Sequence, residues 1–331
     1  MRLPGLPRFP LAQLPTPLVP AKNLTALLGG PQILIKRDDL TGLALGGNKT
    51  RKLEYLIADA QSRGATHVIT MGSVQSNHCR QTAAACRLAG LNCVLVLNAP
   101  NDDPEIQGNF LLDHMLGAEP RIIQDKSRRM AEAEKVAEEL TSQGHVPYII
   151  PTGGSNPIGS SAYVAFSYEL MNQLIEQGIN ATRLYAAAGG PGGTHAGLCL
   201  GQKVTNAPWK VQGISTEDPE DNIKRINSTL ANETASYLGL DLRLGEDDIH
   251  VDVGYTGAGY GVPTDECLEA IKLLAQTEGL FLDPVYTGKT MAGLIDHIRK
   301  GEIGEDETVI FLHTGGAPSL FAEPKTILSA L

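Results

Sequence analysis

Between residues 33 and 312, short apolar runs alternate with amphipathic stretches, and this alternation limits the fold more than any other feature of the chain. The runs at 33–36, 67–71, 93–97, 121–124, 148–150, 184–188, 210–215, 251–254 and 308–312 have the length and residue types of strands. Helical spacing fills 48–62, 76–88, 108–116, 128–142, 156–177, 196–204, 221–238, 263–278 and 290–300. Leu53, Leu56, Ile57 and Ala60 share one helical face, and Gly90 stands where a C-cap is needed. Such a pattern predicts βαβ units on parallel-rich sheets with helices on both faces. No repeat, low-complexity tract or long linker marks a domain boundary.

Composition narrows the function. A net charge of −10 with only 5% aromatic residues argues against nucleic acid or an anionic membrane as partner. The proline-rich stretch 1–20 has no apolar core of a signal peptide, and no segment approaches the roughly 18–20 apolar residues of a membrane span. The five cysteines, Cys79, Cys86, Cys93, Cys199 and Cys267, form no CxxC pair, which suits a reducing cytoplasm. No metal-ligand spacing is present, and no metal is expected.

In parallel α/β folds ligands bind at strand-to-helix turns, against helix N-termini. Several such turns carry unusual chemistry. Gly46, Gly47 and Asn48 precede Lys49 and Lys52, which lie one helical turn apart on one face, with Asn48 as N-cap. A lysine there sits at the wrong end of the helix dipole, which favours its neutral, nucleophilic form. The segment fails as a P-loop, because Asn48 stands where lysine is required; Gly288, Lys289 and Thr290 fail too, because Asp283 occupies the first glycine position. At Gln75, Ser76, Asn77 and His78 a helix opens after a strand; Ser76 or Asn77 can cap it, leaving amides that suit a carboxylate. The run Gly189, Gly190, Pro191, Gly192, Gly193, Thr194, His195 lets backbone amides approach an anion closely, and its spacing is not GxGxxG. Two late turns, 283–289 and 313–317, join polar residues to glycine. Each turn also has a plain structural use as an N-cap or tight loop. A reactive lysine, a phosphate cup and no metal or nicotinamide signature together point to pyridoxal 5'-phosphate.

In order along the chain stand LPTPL from Leu14, KRDDLTGLALGGNKTRKLEYL from Lys36, QSNHCRQTAA from Gln75, GGTHAGL from Gly192, GYGVP around Tyr260, LDPVYTGKTMAGLI from Leu282 and HTGGAPSLF from His313. Through these motifs the chain resembles the aminocyclopropane-carboxylate deaminase and D-cysteine desulfhydrase family. The resemblance implies the two-domain tryptophan synthase β-like fold (pyridoxal-phosphate fold type II), with 50–160 as a small domain inserted in a large one of 1–49 and 161–331. It further implies a homodimer acting on a small amino acid. Carried over by residue, Lys49 is the Schiff-base lysine and Lys52 its phosphate-side partner. Asn77 meets the cofactor's phenolic oxygen. Gly190, Gly192, Gly193 and Thr194 hold the phosphate, Tyr286 lies near the ring, and Thr314 partners the pyridine nitrogen. Ser76, Asn77, His78 and Thr287 contact substrate. Relatives usually carry hydroxyl residues where this chain has Gly189, Gly190 and Pro191, which leaves more of the phosphate binding to backbone amides.

The deaminase branch shows Glu after the tyrosine and Leu between the histidine and the glycines; here these are Thr287 and Thr314, as on the desulfhydrase side. The expected activity is α,β-elimination, with D-cysteine giving pyruvate, sulfide and ammonia. Lys49, Tyr286 and Ser76 are the expected catalytic residues. Lys49 or Tyr286 moves the Cα proton, and Tyr286 or a water protonates the sulfur. The alternatives are an L-cysteate sulfo-lyase, whose sulfonate asks for a further cation that no motif supplies, an aminocyclopropane-carboxylate deaminase, and a non-catalytic amino-acid-binding protein on the same fold.

Overall fold

A computed structural model describes residues 5–322 and 324–328. The ends of the expected large domain, 1–4 and 329–331, and residue 323 lie outside the described residues. In chain order the first elements are β1 (Leu18–Pro20), α1 (Lys22–Leu28), β2 (Gln32–Arg37), α2 (Lys49–Ser62), β3 (His67–Ser73), α3 (Asn77–Ala89) and β4 (Asn92–Asn98). Next come α4 (Gly108–Met115), β5 (Glu119–Ile123), α5 (Arg129–Ser142), β6 (Pro147–Ile149), α6 (Pro157–Gln177), β7 (Arg183–Ala188) and α7 (Gly193–Thr205). The chain continues through β8 (Lys210–Ser215), α8 (Glu220–Tyr237), β9 (His250–Asp252), α9 (Asp265–Glu278), α10 (Thr287–Arg299), β10 (Thr308–His313) and α11 (Pro324–Leu328).

The strands form two sheets, one ordered β1-β2-β10-β7-β8-β9 and the other β5-β4-β3-β6. Every pairing is parallel except β1 with β2. Side chains alternate across the larger sheet. Leu184, Ala186, Ile310 and Leu312 pack into the core on one face, under α6, α7 and α8. Tyr185, Val309 and Phe311 pack on the other face, with residues of α9 and α10. The smaller sheet does the same: Val68, Leu95 and Leu97 face a core shared with α2 and α3, while Ile69, Met71, Val94 and Val96 face α5. Strands buried on both faces read as continuous apolar runs, which is how they appear in the sequence.

Three elements lie outside the sequence expectation: β1, α1 and the short C-terminal α11. β1 and α1 sit in and just after the proline-rich N-terminal stretch, where propensity argues against regular structure; β1 exists because it pairs antiparallel with β2 and becomes the sheet's edge, Val19 opposite Ile35. α7 and α10 begin at Gly193 and Thr287, three residues earlier than the expected starts at 196 and 290. The cap at Asn48 is also different. Its side chain makes no capping bond, and the open amide of Thr50 is met by Gln81 Oε1 of α3 at 2.8 Å.

The start of α2 is fixed by a buried ionic cluster. Arg51 donates to Asp38 Oδ1 at 2.8 Å and Oδ2 at 2.8 Å, and to Glu169 Oε1 at 2.8 Å and Oε2 at 2.9 Å. Lys36 Nζ donates to the same Glu169 at 2.6 Å, and the Tyr163 hydroxyl donates to Asp38 at 2.8 Å. Burial pushes the Glu169 carboxyl up, but the bonds and charge of Arg51, with Lys36 behind them, outweigh it and hold the group at about 2. Its share of stability is therefore present above the ordinary carboxylate range and is lost as pH falls through about 2. Removing one partner strands a buried charge, so Arg51→Met is expected to cost about 3–5 kcal/mol in equilibrium urea unfolding at neutral pH. A loss below about 1 kcal/mol would contradict this account of how α2 is anchored.

Candidate active site

The starts of α2, α3, α7 and α10 converge on one cavity of about 210 Å³ between the two sheets. Asn48, Lys49 and Lys52 line it from α2, and Ser76, Asn77 and His78 from α3. The glycine run 189–193 and Thr194 line it before and within α7, Tyr286 lies at the start of α10, and Thr314 follows β10. Four helix N-termini aimed at one space leave a field that favours an anion there.

Lys49 is placed by the first turn of α2. A Cβ built on Gly153 would lie 3.6 Å from its Nζ. Burial lowers its pKa to about 8. Lys52 donates to Gly153 O at 3.1 Å and contacts Ser155 Oγ at 3.4 Å. Burial first, then the like charge of Lys49, brings the Lys52 ammonium well below its ordinary range. Neither amine forms an ion pair with a carboxylate among the described residues.

The glycine run forms the cup beside these amines. Gly193 donates to Ser155 Oγ at 3.2 Å, and a side chain at Gly193 would meet Ser155 Oγ at 2.6 Å and Lys52 Nζ at 2.8 Å. Gly192 has φ +70°, and a Cβ there would lie 2.1 Å from Asn227 Oδ1. Both positions therefore need glycine, one for close approach and one also for its dihedral. Ala196 N returns to Gly192 O at 2.9 Å, leaving the Thr194 and His195 amides as open donors at the helix start. Gly190 departs from the expectation, since its amide is occupied by Asp218 Oδ2 at 2.8 Å and so is not an open donor. Asn48 Nδ2 reaches across to Thr194 Oγ1 at 3.0 Å, which ties the two helix starts together.

On the α3 side, Ser76 Oγ accepts from Cys79 N at 3.2 Å and is the N-cap, so the amides of Asn77 and His78 stay open. Asn77 Oδ1 accepts from Arg80 Nη1 at 3.1 Å and Asn109 Nδ2 at 3.0 Å. Those two donors fix the amide's orientation and leave its NH₂ as the remaining donor group. His78 Nε2 is paired with Thr70 Oγ1 at 2.8 Å, while its buried Nδ1 has no partner among the described residues.

Thr287 is a correction. Its side chain does not line the cavity; Oγ1 donates to Asp283 Oδ1 at 2.6 Å and accepts from Asp283 N at 2.8 Å. Asp283 caps α10 through the amides of Val285, Tyr286 and Thr287, and this cap holds Thr287. The other expected residues, Ser76, Asn77, His78, Lys49, Lys52, Gly190, Gly192, Gly193, Thr194, Tyr286 and Thr314, come together around the cavity.

Several lining residues were missed. Thr152, Gly153 and Ser155 fall in a turn of glycine and hydroxyl residues between a strand and a helix, the same signal used elsewhere. Tyr260 lay in a recognised motif without a role; its hydroxyl is 2.7 Å from that of Tyr286, with ring centroids 5.9 Å apart. Burial, then the Tyr260 neighbour, keeps the Tyr286 hydroxyl protonated far above ordinary pH. Lys126, Arg129 and Glu217 also line the cavity, and nothing in their local sequence marks them. Among the described residues no cluster suited to a metal ion occurs, and no helix is long and apolar enough to cross a membrane.

With this geometry in hand, comparison with known proteins is specific. A family model described as pyridoxal-phosphate dependent enzyme matches residues 10–315. The chain is 42% identical to a putative 1-aminocyclopropane-1-carboxylate deaminase of Pyrococcus abyssi, covering 99% of this chain and 97% of the relative. It is 40% identical to a D-cysteine desulfhydrase of Salmonella choleraesuis, covering 97% of this chain and 98% of the relative. A crystal structure of an ACC deaminase homologue matches with a TM-score of 0.91 at 40% identity, over 99% of this chain and 98% of that one. The similarity spans the whole architecture, the two-sheet α/β fold of fold type II.

The depressed Lys49 amine predicts its own titration. In the protein free of small ligands, modification of Lys49 by an amine-directed reagent, followed by peptide mass spectrometry, should rise with pH about a midpoint near 8. A midpoint at the ordinary lysine value, about 10.4, would contradict the desolvated placement.

Proposed function

Because the chain belongs to the pyridoxal-phosphate dependent enzymes and is a lyase using that cofactor, we propose that it catalyses α,β-elimination on a cysteine-like amino acid, converting D-cysteine to pyruvate, sulfide and ammonia. The residues present fit the cofactor. Two desolvated amines stand without an acid partner beside a glycine cup with open amides, an arrangement that an anionic, aldehyde-bearing group completes. In this reading Lys49 would be the residue that holds the aldehyde. Lys52, Ser155 and the open amides of Thr194 and His195 would hold the phosphate, with Gly192 and Gly193 shaping the turn. Asn77 Nδ2 would serve the ring oxygen, and Thr314 the ring nitrogen. When bound, the cofactor supplies a ring that withdraws electrons from the substrate's Cα.

This chain's own groups supply the rest. The open amides of Asn77 and His78 with Ser76 bind the substrate carboxylate at the start of α3. Once the incoming substrate amine has released it, the Lys49 amine would take the Cα proton. Tyr286, paired with Tyr260 at 2.7 Å, would present a hydroxyl that hydrogen-bonds the leaving sulfur, with a water as the other source of its proton. Thr314 carries the choice of elimination over ring opening. It is a neutral hydroxyl on the cavity wall, and Glu217 is the single carboxylate among the lining residues. A neutral partner makes a weaker electron sink, which suffices when a good β leaving group departs.

A second reading has a specific observation behind it. Lys126 and Arg129 supply the extra cations that a sulfonate asks for, which favours L-cysteate, with sulfite as leaving group. Glu217 on the same cavity and the bond of Arg129 to Asn98 offset that attraction, so D-cysteine stands first. We further take 50–160 as the small domain of a homodimer acting in the cytoplasm; the five buried free thiols suit a reducing compartment.

The test is a product assay over D- and L-cysteine, L-cysteate and aminocyclopropane carboxylate. Sulfide and pyruvate from D-cysteine above the others are expected; sulfite from cysteate supports the second reading, and 2-oxobutyrate as main product would overturn both. Lys49→Ala should abolish the near-visible absorbance band of the loaded enzyme and lower pyruvate release by at least about 10³-fold. Retention of both would refute the role given to Lys49.

A further inference from the structure

Lys289 lies three residues after Tyr286 and is buried in the first turn of α10. Its Nζ donates to Thr256 O at 2.7 Å, Gly259 O at 2.9 Å and Thr216 O at 3.1 Å. All three ammonium protons are thereby used on main-chain carbonyls. No carboxylate pairs with it among the described residues. A lysine placed this way acts as a fixed cation to which loops are tied.

The tied segment is the loop between β9 and α9. Gly257, Gly259 and Gly261 all have positive φ, so its backbone has unusual freedom to lose. Its remaining backbone bonds are local: Gly254 N to Asp252 Oδ1 and Val262 N to Gly259 O. Thr256 Oγ1 likewise stays close, on Val253 O. Gly259 immediately precedes Tyr260, whose hydroxyl meets Tyr286 at 2.7 Å. One side chain on α10 therefore fixes the backbone that delivers one tyrosine to another, the N-cap residue of the same helix. The third bond, to Thr216, reaches the segment that packs under the glycine cup, where a Cβ at Gly189 would lie 2.5 Å from Thr216 Oγ1.

We propose that Lys289 is a positioning residue which clamps the Tyr260 loop against α10 and so sets the Tyr260–Tyr286 hydroxyl pair, a role that rests on the elimination reading above. It touches neither substrate nor cofactor in this assignment, since it does not line the cavity. Without the ammonium, three buried carbonyls lose their donor and the glycine-rich loop regains freedom.

The experiment compares wild type, Lys289→Met, Tyr260→Phe and the double variant. Hydrogen exchange is followed by mass spectrometry with and without cofactor, and kinetics are measured on the preferred β-substituted alanine. In Lys289→Met, exchange across 256–261 should quicken by about tenfold or more while β7 and β10 stay protected. kcat should fall by about 10²-fold with KM within about threefold, and the near-visible band should remain. Because Lys289 acts through Tyr260, the double variant should be no slower than Tyr260→Phe alone by more than about twofold. Unchanged loop exchange, or losses that multiply in full, would overturn the proposal. Should Lys289→Met not fold, Lys289→Gln keeps two donors and is expected to lie between it and wild type on both measures. If the wild type releases no pyruvate from any such substrate, the elimination reading fails, while the exchange arm still decides whether Lys289 clamps the loop.

Discussion

The structure turns on two amines, Lys49 and Lys52, taken out of water side by side with no acid to pair them. Desolvation acts against both charges and Lys49 acts against that of Lys52, so the pair either gives up a proton or gains from an anion in the adjoining cup. The form of the cup supports that reading. Its glycines at 192 and 193 admit no Cβ, its helix start leaves amides open, and Asn48 ties it to the helix that carries the lysines. The neighbouring starts of α3 and α10 add a second place for a carboxylate and a hydroxyl pair held protonated.

Comparison of the buried basic residues shows how deliberate this is. Arg51 lies between the two lysines on the same turn, yet it is matched by Asp38 and Glu169 on the other side of α2. Lys36 shares Glu169, and Lys289 is satisfied by three carbonyls. Lys52 has a carbonyl and a hydroxyl, and Lys49 has neither ion pair nor hydrogen bond among the described residues. Satisfaction of a buried cation fixes structure; its absence stores reactivity. The same helix thus carries a paired arginine that anchors it and an unpaired lysine that is proposed as its nucleophile.

Most of the scaffold was legible because strands buried on both faces leave uninterrupted apolar runs, and because Ser76 and Gly90 mark helix ends by local chemistry. What escaped depended on partners distant in sequence. β1 forms only because Ile35 and its neighbours offer an edge, and the cap of α2 comes from Gln81 rather than from Asn48. Thr287 looked like a lining residue from its place beside Tyr286, yet the Asp283 cap turns its hydroxyl inward. Lys126, Arg129 and Glu217 reach the cavity through the arrangement of the two sheets, which no local pattern encodes. The lysines, the glycine cup and the asparagine were readable because each needs an uncommon residue type at a strand-to-helix turn.

The central claim is that one unpaired amine at the start of α2 is where the coenzyme is held. Borohydride treatment of the cofactor-loaded protein, followed by peptide mapping, tests it directly. The account predicts a pyridoxyl group on the peptide containing Lys49 and on that residue alone. A label on Lys52 or Lys289, or a protein that carries none after loading, would contradict it.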